Sequence, residues 1–171
     1  IEGVTTLVLN NCSLRGRVKP QVLIIESDER FARYTFSHFS PTHYVVTNLY
    51  RDQLSRNGHP EMVFDCILDS IKDENTTLIL NADDPLVSLL AKNHQKTIYF
   101  GAEKTVASKD DNDGVYHDGY YCPNCKEKMG YEYYHYAHIG SYFCENCGHK
   151  RVEPKYKITH MDLGSGNAVI N

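Results

Sequence analysis

Four of the six cysteines in this 171-residue chain form two Cys-x-x-Cys pairs, and this spacing constrains the fold more than any other feature. The pairs are Cys122–Cys125 and Cys144–Cys147, and 18 residues separate them. Two intervening residues let both thiolates of a pair reach one ion from a tight turn, and two such turns complete a tetrahedral Zn²⁺ site. A gap of about 15 to 20 residues is typical of zinc ribbons. The sequence therefore predicts a zinc ribbon whose metal ligands are Cys122, Cys125, Cys144 and Cys147.

Two other interpretations of the cysteines remain open at this point. A thioredoxin-type redox site needs one such pair beside a βαβ unit, and two disulfides would fit an exported domain. Four thiolates leave no open coordination position, so we expect the zinc to be structural rather than catalytic. Four histidines nearby are expected to lie on the surface or around the ligands rather than on the metal: His117, His135, His138 and His149.

Eight of the thirteen tyrosines fall between Tyr116 and Tyr142, within the predicted ribbon. Such a cluster could stack the bases of single-stranded nucleic acid, in which case the chain would be a non-enzymatic binding module. However, the only basic side chains in that interval are Lys126 and Lys128, and the net charge of the chain is −4. The pattern favours tyrosines that pack as a small core or a docking surface, and we expect no nucleic-acid partner. We also expect no transmembrane segment, because the apolar runs are far shorter than a membrane span.

Residues 21–100 alternate short β-branched runs with helical segments. The runs are Val22–Ile25, Tyr44–Thr47, Thr77–Leu80 and Thr97–Phe100. Each is apolar on both alternating faces, which is typical of parallel strands covered by helices. Helices are predicted at 60–71, with Pro60 in the first turn, and at 84–93, with Asp83 as the N-cap. The first ten residues fit a strand or a helix.

These patterns predict an α/β fold with a parallel sheet, interrupted by the ribbon. We assign residues 1–112 to the first part of the α/β domain, 113–153 to the zinc-ribbon insert and 154–171 to a return to the α/β domain. Gly164-Ser165-Gly166 predicts a hairpin turn, with a strand beginning at Val169-Ile170.

Polar residues cluster where the first two predicted strands end, at Glu26–Glu29 and at 47–53. Ligands of open α/β sheets bind beyond the carboxyl ends of the strands. Carboxylate and carbonyl oxygens there are suitable ligands for Mg²⁺. Helix capping is an equally good interpretation, above all for Asp28.

Three segments together resemble the central ATP-binding domain of the Mur ligase family: Glu26-Ser-Asp-Glu, Thr47-Asn-Leu-Tyr-Arg-Asp-Gln-Leu-Ser-Arg-Asn-Gly58 and Leu80-Asn-Ala-Asp-Asp-Pro85. Arg51-Asp52-Gln53, the four-cysteine ribbon and the tyrosine-rich Tyr133–Gly140 resemble one branch of the family in particular. The resemblance covers almost the whole chain. It also favours a helix over residues 2–10.

That branch amidates the α-carboxyl of D-glutamate in the peptidoglycan precursor lipid II, so the resemblance implies a bacterial cytoplasmic enzyme acting at the inner face of the membrane. It implies ATP and Mg²⁺ as cofactors and a GatD-type glutaminase subunit as partner. The Mg-ATP residues implied by position are Glu26, Asn48, Asp52 and Gln53, whereas Asn81–Asp84 is expected to form a turn and a helix cap. The alternative is another Mur-type or folylpolyglutamate-type amide ligase.

The sequence departs from the family pattern in three respects. It contains no Gly-x-x-x-x-Gly-Lys-Ser/Thr phosphate loop, which the family carries upstream of the position of Ile1. The adenine-binding segment and the C-terminal domain with its catalytic acidic residue are expected beyond Asn171. Leu68 stands where many Mur ligases carry a carbamylated lysine. We therefore expect this chain by itself to be inactive.

Overall fold

A computed structural model of the chain describes residues 2–17, 22–50, 59–162 and 164–171. The helices are α1 (Glu2–Asn10), α2 (Glu29–Thr35) and α3 (Pro60–Ser70), with a 3-10 helix at Val87–Ala91. The strands are β1 (His43–Val46), β2 (Thr77–Asn81), β3 (Thr97–Ala102), β4 (Gly130–Tyr136), β5 (Ile139–Phe143), β6 (Tyr156–Asp162) and β7 (Asn167–Ile170). None of the helices within these ranges is long and apolar enough to cross a membrane.

Five strands form one sheet in the order β1-β2-β3-β6-β7, and β4 pairs with β5 in a separate hairpin. The first three pairings are parallel, whereas β6 and β7 are antiparallel across the predicted turn at Gly164–Gly166. The α/β fold with a mostly parallel sheet is thus confirmed, as is the helix over residues 2–10. The chain leaves the sheet after β3, forms the β4–β5 hairpin and returns at β6; the division at residues 113 and 153 stays a prediction.

The core of the sheet is built from β1, β2 and α3. Leu78 and Leu80 point to the same side of β2 and are completely buried. On α3, Val63 and Ile67 lie one turn apart and cover them, as the helical period predicts. Met62, next to Val63 on the same helix, lies outside this buried face and is 62% exposed.

The strand predicted at Val22–Ile25 is wrong. Residues 22–28 have no regular secondary structure, and Val22 and Ile24 are largely exposed. A β-strand needs a neighbour that completes its backbone hydrogen bonds, and this run has none within the described residues. The Glu26–Glu29 cluster consequently follows an irregular segment and precedes a helix, where the Asp28 side chain accepts a hydrogen bond from Arg30 N and caps α2.

The helix predicted over 84–93 is also shorter than expected, because only the 3-10 turn at Val87–Ala91 forms. Asp84, rather than Asp83, binds the backbone N–H groups that lead into this turn. Asp84 Oδ1 accepts hydrogen bonds from the backbone N–H groups of Leu86 (2.8 Å) and Val87 (3.0 Å). The Asp83 side chain turns towards β3 instead, where it accepts hydrogen bonds from Ala102 N and Arg151 Nε.

Replacing the buried Leu78 by alanine tests this core. Leu78→Ala should lower the free energy of unfolding by about 2–5 kcal/mol, because a buried Leu-to-Ala change loses transfer energy and leaves a cavity. Urea denaturation of the protein gives the value.

Leu68→Ala is the matched control, since Leu68 is 45% exposed on α3. It should cost less than about 1 kcal/mol. Equal losses for the two variants would contradict the assignment of Leu78 to the core.

Candidate metal centre and its docking site

The two cysteine pairs form matching turns. Cys122 N donates to Glu127 O and Lys126 N donates to Cys122 O; in the second turn, Cys144 N donates to His149 O and Gly148 N donates to Cys144 O. The residue after each second cysteine adopts a left-handed φ, +67° at Lys126 and +73° at Gly148. Each turn therefore wraps backbone around two sulfur atoms, which is the geometry that a metal-binding turn needs.

The four cysteine Sγ atoms converge on one point. All lie within 4.8 Å of one another, with 3.6 Å between Cys122 and Cys147 and 3.5 Å between Cys125 and Cys144. Four sulfurs at a Zn–S distance of 2.3 Å stand about 3.8 Å apart in an ideal tetrahedron. The four cysteines are not joined by disulfides, which require about 2.05 Å. The residues thus fit Zn²⁺, and such a site with four protein ligands would hold the metal structurally.

The thiols differ in how readily they ionise. A hydrogen bond from the Asn124 side chain lowers the pKa of exposed Cys147 to about 6, whereas burial raises the pKa of Cys122 to about 12. Cys147 is therefore ready to bind a cation near neutral pH, and the cation must displace the proton of Cys122. Metal binding by this cluster should weaken as the pH falls.

The ribbon has a very small core of its own. Cys122, Met129, Tyr142 and Cys144 are its buried members, with Cys125 and Tyr131 packed against them. Tyr131 also stacks on Tyr134 at a centroid distance of 4.2 Å. Tyr131 and Tyr142 thus pack within the ribbon, as the sequence favoured, whereas four other tyrosines of the cluster are exposed: Tyr116, Tyr120, Tyr121 and Tyr136.

The ribbon docks onto the segment Asn81–Pro85, every residue of which is buried. Tyr142 Oη donates to Ser88 Oγ (2.7 Å), and His149 Nε2 lies 2.9 Å from Pro85 O. Gly140 N donates to Asp83 O (2.9 Å). The Asn81–Asp84 motif was expected from the sequence to form a turn and a helix cap. It also forms the surface against which the ribbon packs.

Asp83 carries the strongest of these contacts. Arg151, beyond the second cysteine pair, donates from Nε to Asp83 Oδ1 (2.6 Å) and from a terminal nitrogen to Ala102 O (3.0 Å). Asp83 Oδ2 accepts from Ala102 N (2.7 Å). Gly101 leaves room for this carboxylate, since a Cβ there would lie 2.7 Å from Oδ1. Burial raises the pKa of Asp83, and the Arg151 guanidinium opposes that shift.

Asp84 carries the second set of contacts. Its Oδ2 accepts a hydrogen bond from Leu49 N (2.9 Å), just beyond β1, and lies 3.7 Å from His138 Nε2. His138 and Ala137 form the two-residue turn between β4 and β5, so the imidazole comes from the tip of the hairpin. Contrary to the sequence expectation, the His135 and His138 side chains contact the α/β domain. The His149 ring also contacts that domain, but the His149 backbone hydrogen-bonds the second cysteine turn, as expected of a residue around the ligands.

The predicted Mg-ATP residues are only partly described. Asp52 and Gln53 lie outside the described residues. Glu26 is exposed and lines a cavity of about 470 Å³ together with residues of α1 and α2. Asn48 is half-buried and directly precedes Leu49. Within the described residues, no hydrogen bond or ion pair joins Glu26 to Asn48, and a magnesium site there stays a prediction.

The sequence analysis did not identify the role of five residues that join the ribbon to the sheet: Asp83, Asp84, His138, Tyr50 and Arg151. Tyr50 stacks on Tyr136 with the ring planes 7° apart and the centroids 5.9 Å apart. A cavity of about 400 Å³ is lined by residues of both regions, among them Leu49, Pro85 and His138. The one available signal was the run of two acidic residues after a buried strand, which a turn explains equally well.

No protein-family model matches the chain. Among solved structures, the chain is similar to a pseudomurein peptide ligase type C from Methanothermus fervidus, with a TM-score of 0.61 and 26% identity over 81% of this chain and 28% of that one. The fold therefore resembles that of part of a peptide ligase.

Similarity to curated proteins points to a more specific group within the peptide ligases. The chain is 34% identical over 161 residues to the lipid II isoglutaminyl synthase (glutamine-hydrolyzing) subunit MurT of Staphylococcus aureus (strain COL), and 32% identical over 169 residues to that of Streptococcus pneumoniae (strain ATCC BAA-255 / R6). Both matches cover 94% of this chain and 35% of the relative's length. The chain is thus homologous to a segment of MurT, and the resemblance drawn from its sequence motifs is confirmed.

The metal centre predicts that the purified protein contains one equivalent of zinc. Cys144→Ser should lower this content well below one, because three thiolates no longer close the tetrahedron. Chelation should also speed hydrogen exchange over residues 116–152, because metal binding supplies folding energy to a segment with little core. Zinc is measured by elemental analysis after desalting.

Cys66→Ser is the control, since Cys66 lies on α3 outside the cluster. It should leave the zinc content unchanged. Metal-free protein with full protection over residues 116–152 would rule the centre out.

The Asp83–Arg151 pair gives a separate prediction. Arg151→Met should lower the free energy of unfolding by about 3–5 kcal/mol, because it leaves a buried carboxylate without its cation. The double variant Asp83→Asn/Arg151→Met should cost less than the single one. Urea denaturation measures both.

Lys150→Met is the neighbouring control, because Lys150 is exposed. It should change stability by less than about 0.5 kcal/mol. If Arg151→Met behaves like this control, the pair does not anchor the ribbon.

Proposed function

We propose that the chain is the central part of an ATP-dependent C–N ligase that amidates the D-glutamate α-carboxyl of lipid II. The observation that carries the proposal is homology to MurT over 94% of the chain, together with a four-cysteine ribbon that packs on the Asn-Ala-Asp-Asp segment. The curated relatives are named as glutamine-hydrolysing synthase subunits. By that likeness, the longer protein works with a GatD-type glutaminase at the cytoplasmic face of the membrane.

In the proposed reaction, the substrate carboxylate attacks the γ-phosphorus of ATP, which gives an acyl phosphate and releases ADP. Ammonia from glutamine then attacks the acyl carbon, and phosphate leaves as the amide forms. The magnesium ion would neutralise charge on the transferred phosphoryl group.

Within this chain, Glu26 and Asn48 would contribute oxygen ligands on the Mg-ATP side, with Asp52 and Gln53 in the same loop. Hard oxygen donors of this kind suit Mg²⁺. The exposure of Glu26 on a cavity wall supports this role, because its carboxylate is open to a ligand. Zinc on the four cysteines would support the ribbon without entering the reaction.

The test is glutamine-dependent amidation of lipid II by the full-length protein with its glutaminase. Glu26→Gln should reduce kcat/KM for Mg-ATP by about a hundredfold or more, because a lost metal ligand removes several kcal/mol of charge stabilisation. Product is measured by mass spectrometry as the conversion of the acid to the amide.

Glu29→Gln is the matched control, since Glu29 is also exposed but lies in the first turn of α2. Its kcat/KM should stay within about twofold of the unsubstituted protein. Incorporation of an amino acid in place of ammonia would identify a different amide ligase. Absence of any ATP-dependent product would overturn the proposal.

A further inference from the structure

The β4–β5 hairpin connects the metal centre to the segment that follows β1. Its base joins the two cysteine pairs, since Cys144 directly follows β5 and Cys122 and Cys125 precede β4. Its tip carries His138 and Tyr136 against Tyr50, and His138 also faces Asp84, the acceptor for Leu49 N. The hairpin is therefore fixed at one end by sulfur ligands and touches the carboxyl end of the sheet with the other.

The contacts at the tip converge on two residues after β1. Leu49 is 4% exposed, and its N–H is held by Asp84 Oδ2, whose other neighbour is His138 Nε2. The Tyr50 ring contacts two ribbon rings, with centroids 5.1 Å from His138 and 5.9 Å from Tyr136. Asn48, the proposed Mg-ATP residue, immediately precedes this pair.

His138 also separates the Asp84 carboxylate from the cavity of about 400 Å³ whose wall it forms. The side chain is 5% exposed, and its Nδ1 has no hydrogen-bond partner within the described residues. Without the imidazole, water could reach Asp84 Oδ2 and compete with the Leu49 N–H. A hydrogen bond in contact with water contributes less than the same bond in a dry site.

We propose that His138 and Tyr136 are positioning residues: from the tip of the metal-anchored hairpin they hold the Asn48–Tyr50 segment in place. The contact is a structural property of the chain, and its consequence for Mg-ATP binding rests on the proposed function. Zinc would thus affect the nucleotide side of the enzyme without touching it, because the ribbon that it stabilises immobilises this segment.

Hydrogen exchange at the Leu49 amide in the full-length protein measures the positioning directly. His138→Ala should speed this exchange about tenfold, which corresponds to the net stabilisation of one hydrogen bond. His138→Gln keeps an N–H group near Asp84 and should restore part of the protection. Tyr136→Ala removes an exposed ring and should speed exchange without unfolding the ribbon.

His135→Ala is the matched control from the same hairpin. His135 faces Asp83 and Ala102 O, away from Leu49, so its removal weakens docking in general. It should leave Leu49 exchange within about twofold. Chelation of zinc should speed Leu49 exchange in the unsubstituted protein and add little in the His138→Ala/Tyr136→Ala variant. Unchanged exchange in His138→Ala, or equal effects of His135→Ala and His138→Ala, would overturn the proposal.

Kinetics supply the readout for function. His138→Ala should raise KM for Mg-ATP more than it lowers kcat, because it loosens a binding segment rather than a reacting group. A KM equal to that of the His135→Ala control would overturn the link to the nucleotide. An unsubstituted protein without ATP-dependent amidation would refute the proposed function alone, since the exchange result is decided independently.

Discussion

Two adjacent carboxylates, both almost fully buried, are the constraint on which the arrangement of this protein depends. Asp83 and Asp84 follow β2 directly and are 3% and 0% exposed. A buried carboxylate is unfavourable unless hydrogen bonds or cations compensate it. Different parts of the chain compensate the two carboxylates. Asp83 pairs with Arg151 of the ribbon, whereas Asp84 accepts hydrogen bonds from backbone N–H groups at the start of the 3-10 turn and from Leu49 N.

This constraint explains how so small a ribbon is held in one orientation. Four buried residues could not fix its position, and its β-hairpin has only two strands. Metal binding would hold its base, while Asp83 and its neighbours provide polar partners for the face that meets the sheet. The two anchors are complementary, since one orders the ribbon internally and the other fixes its position on the sheet.

The position of the ribbon matters for chemistry because it lies at the carboxyl ends of β1 and β2. Open α/β sheets bind their ligands at that edge. Given the proposed Mg-ATP role of Asn48, the tip of the ribbon hairpin would lie next to the segment that a nucleotide uses, and the four-cysteine cluster at its base fits a closed, non-catalytic metal site. The segment Asn81–Pro85 contacts both the ribbon and the residues after β1, because Asp83 O accepts from Gly140 N and Asp84 Oδ2 accepts from Leu49 N. The motif therefore has a structural role in addition to forming a turn.

The sequence by itself determined the features that depend on local spacing and period. Two residues between paired cysteines define the metal centre, and the runs at Tyr44–Thr47, Thr77–Leu80 and Thr97–Phe100 define the parallel strands. The sequence could not show that Val22–Ile25 finds no strand partner among the described residues, because pairing depends on which neighbours the fold supplies. Nor could it separate the roles of Asp83 and Asp84. Arg151 lies 68 residues from Asp83, and only the tertiary structure brings such distant groups together, since no local period encodes the packing of a ribbon on a sheet.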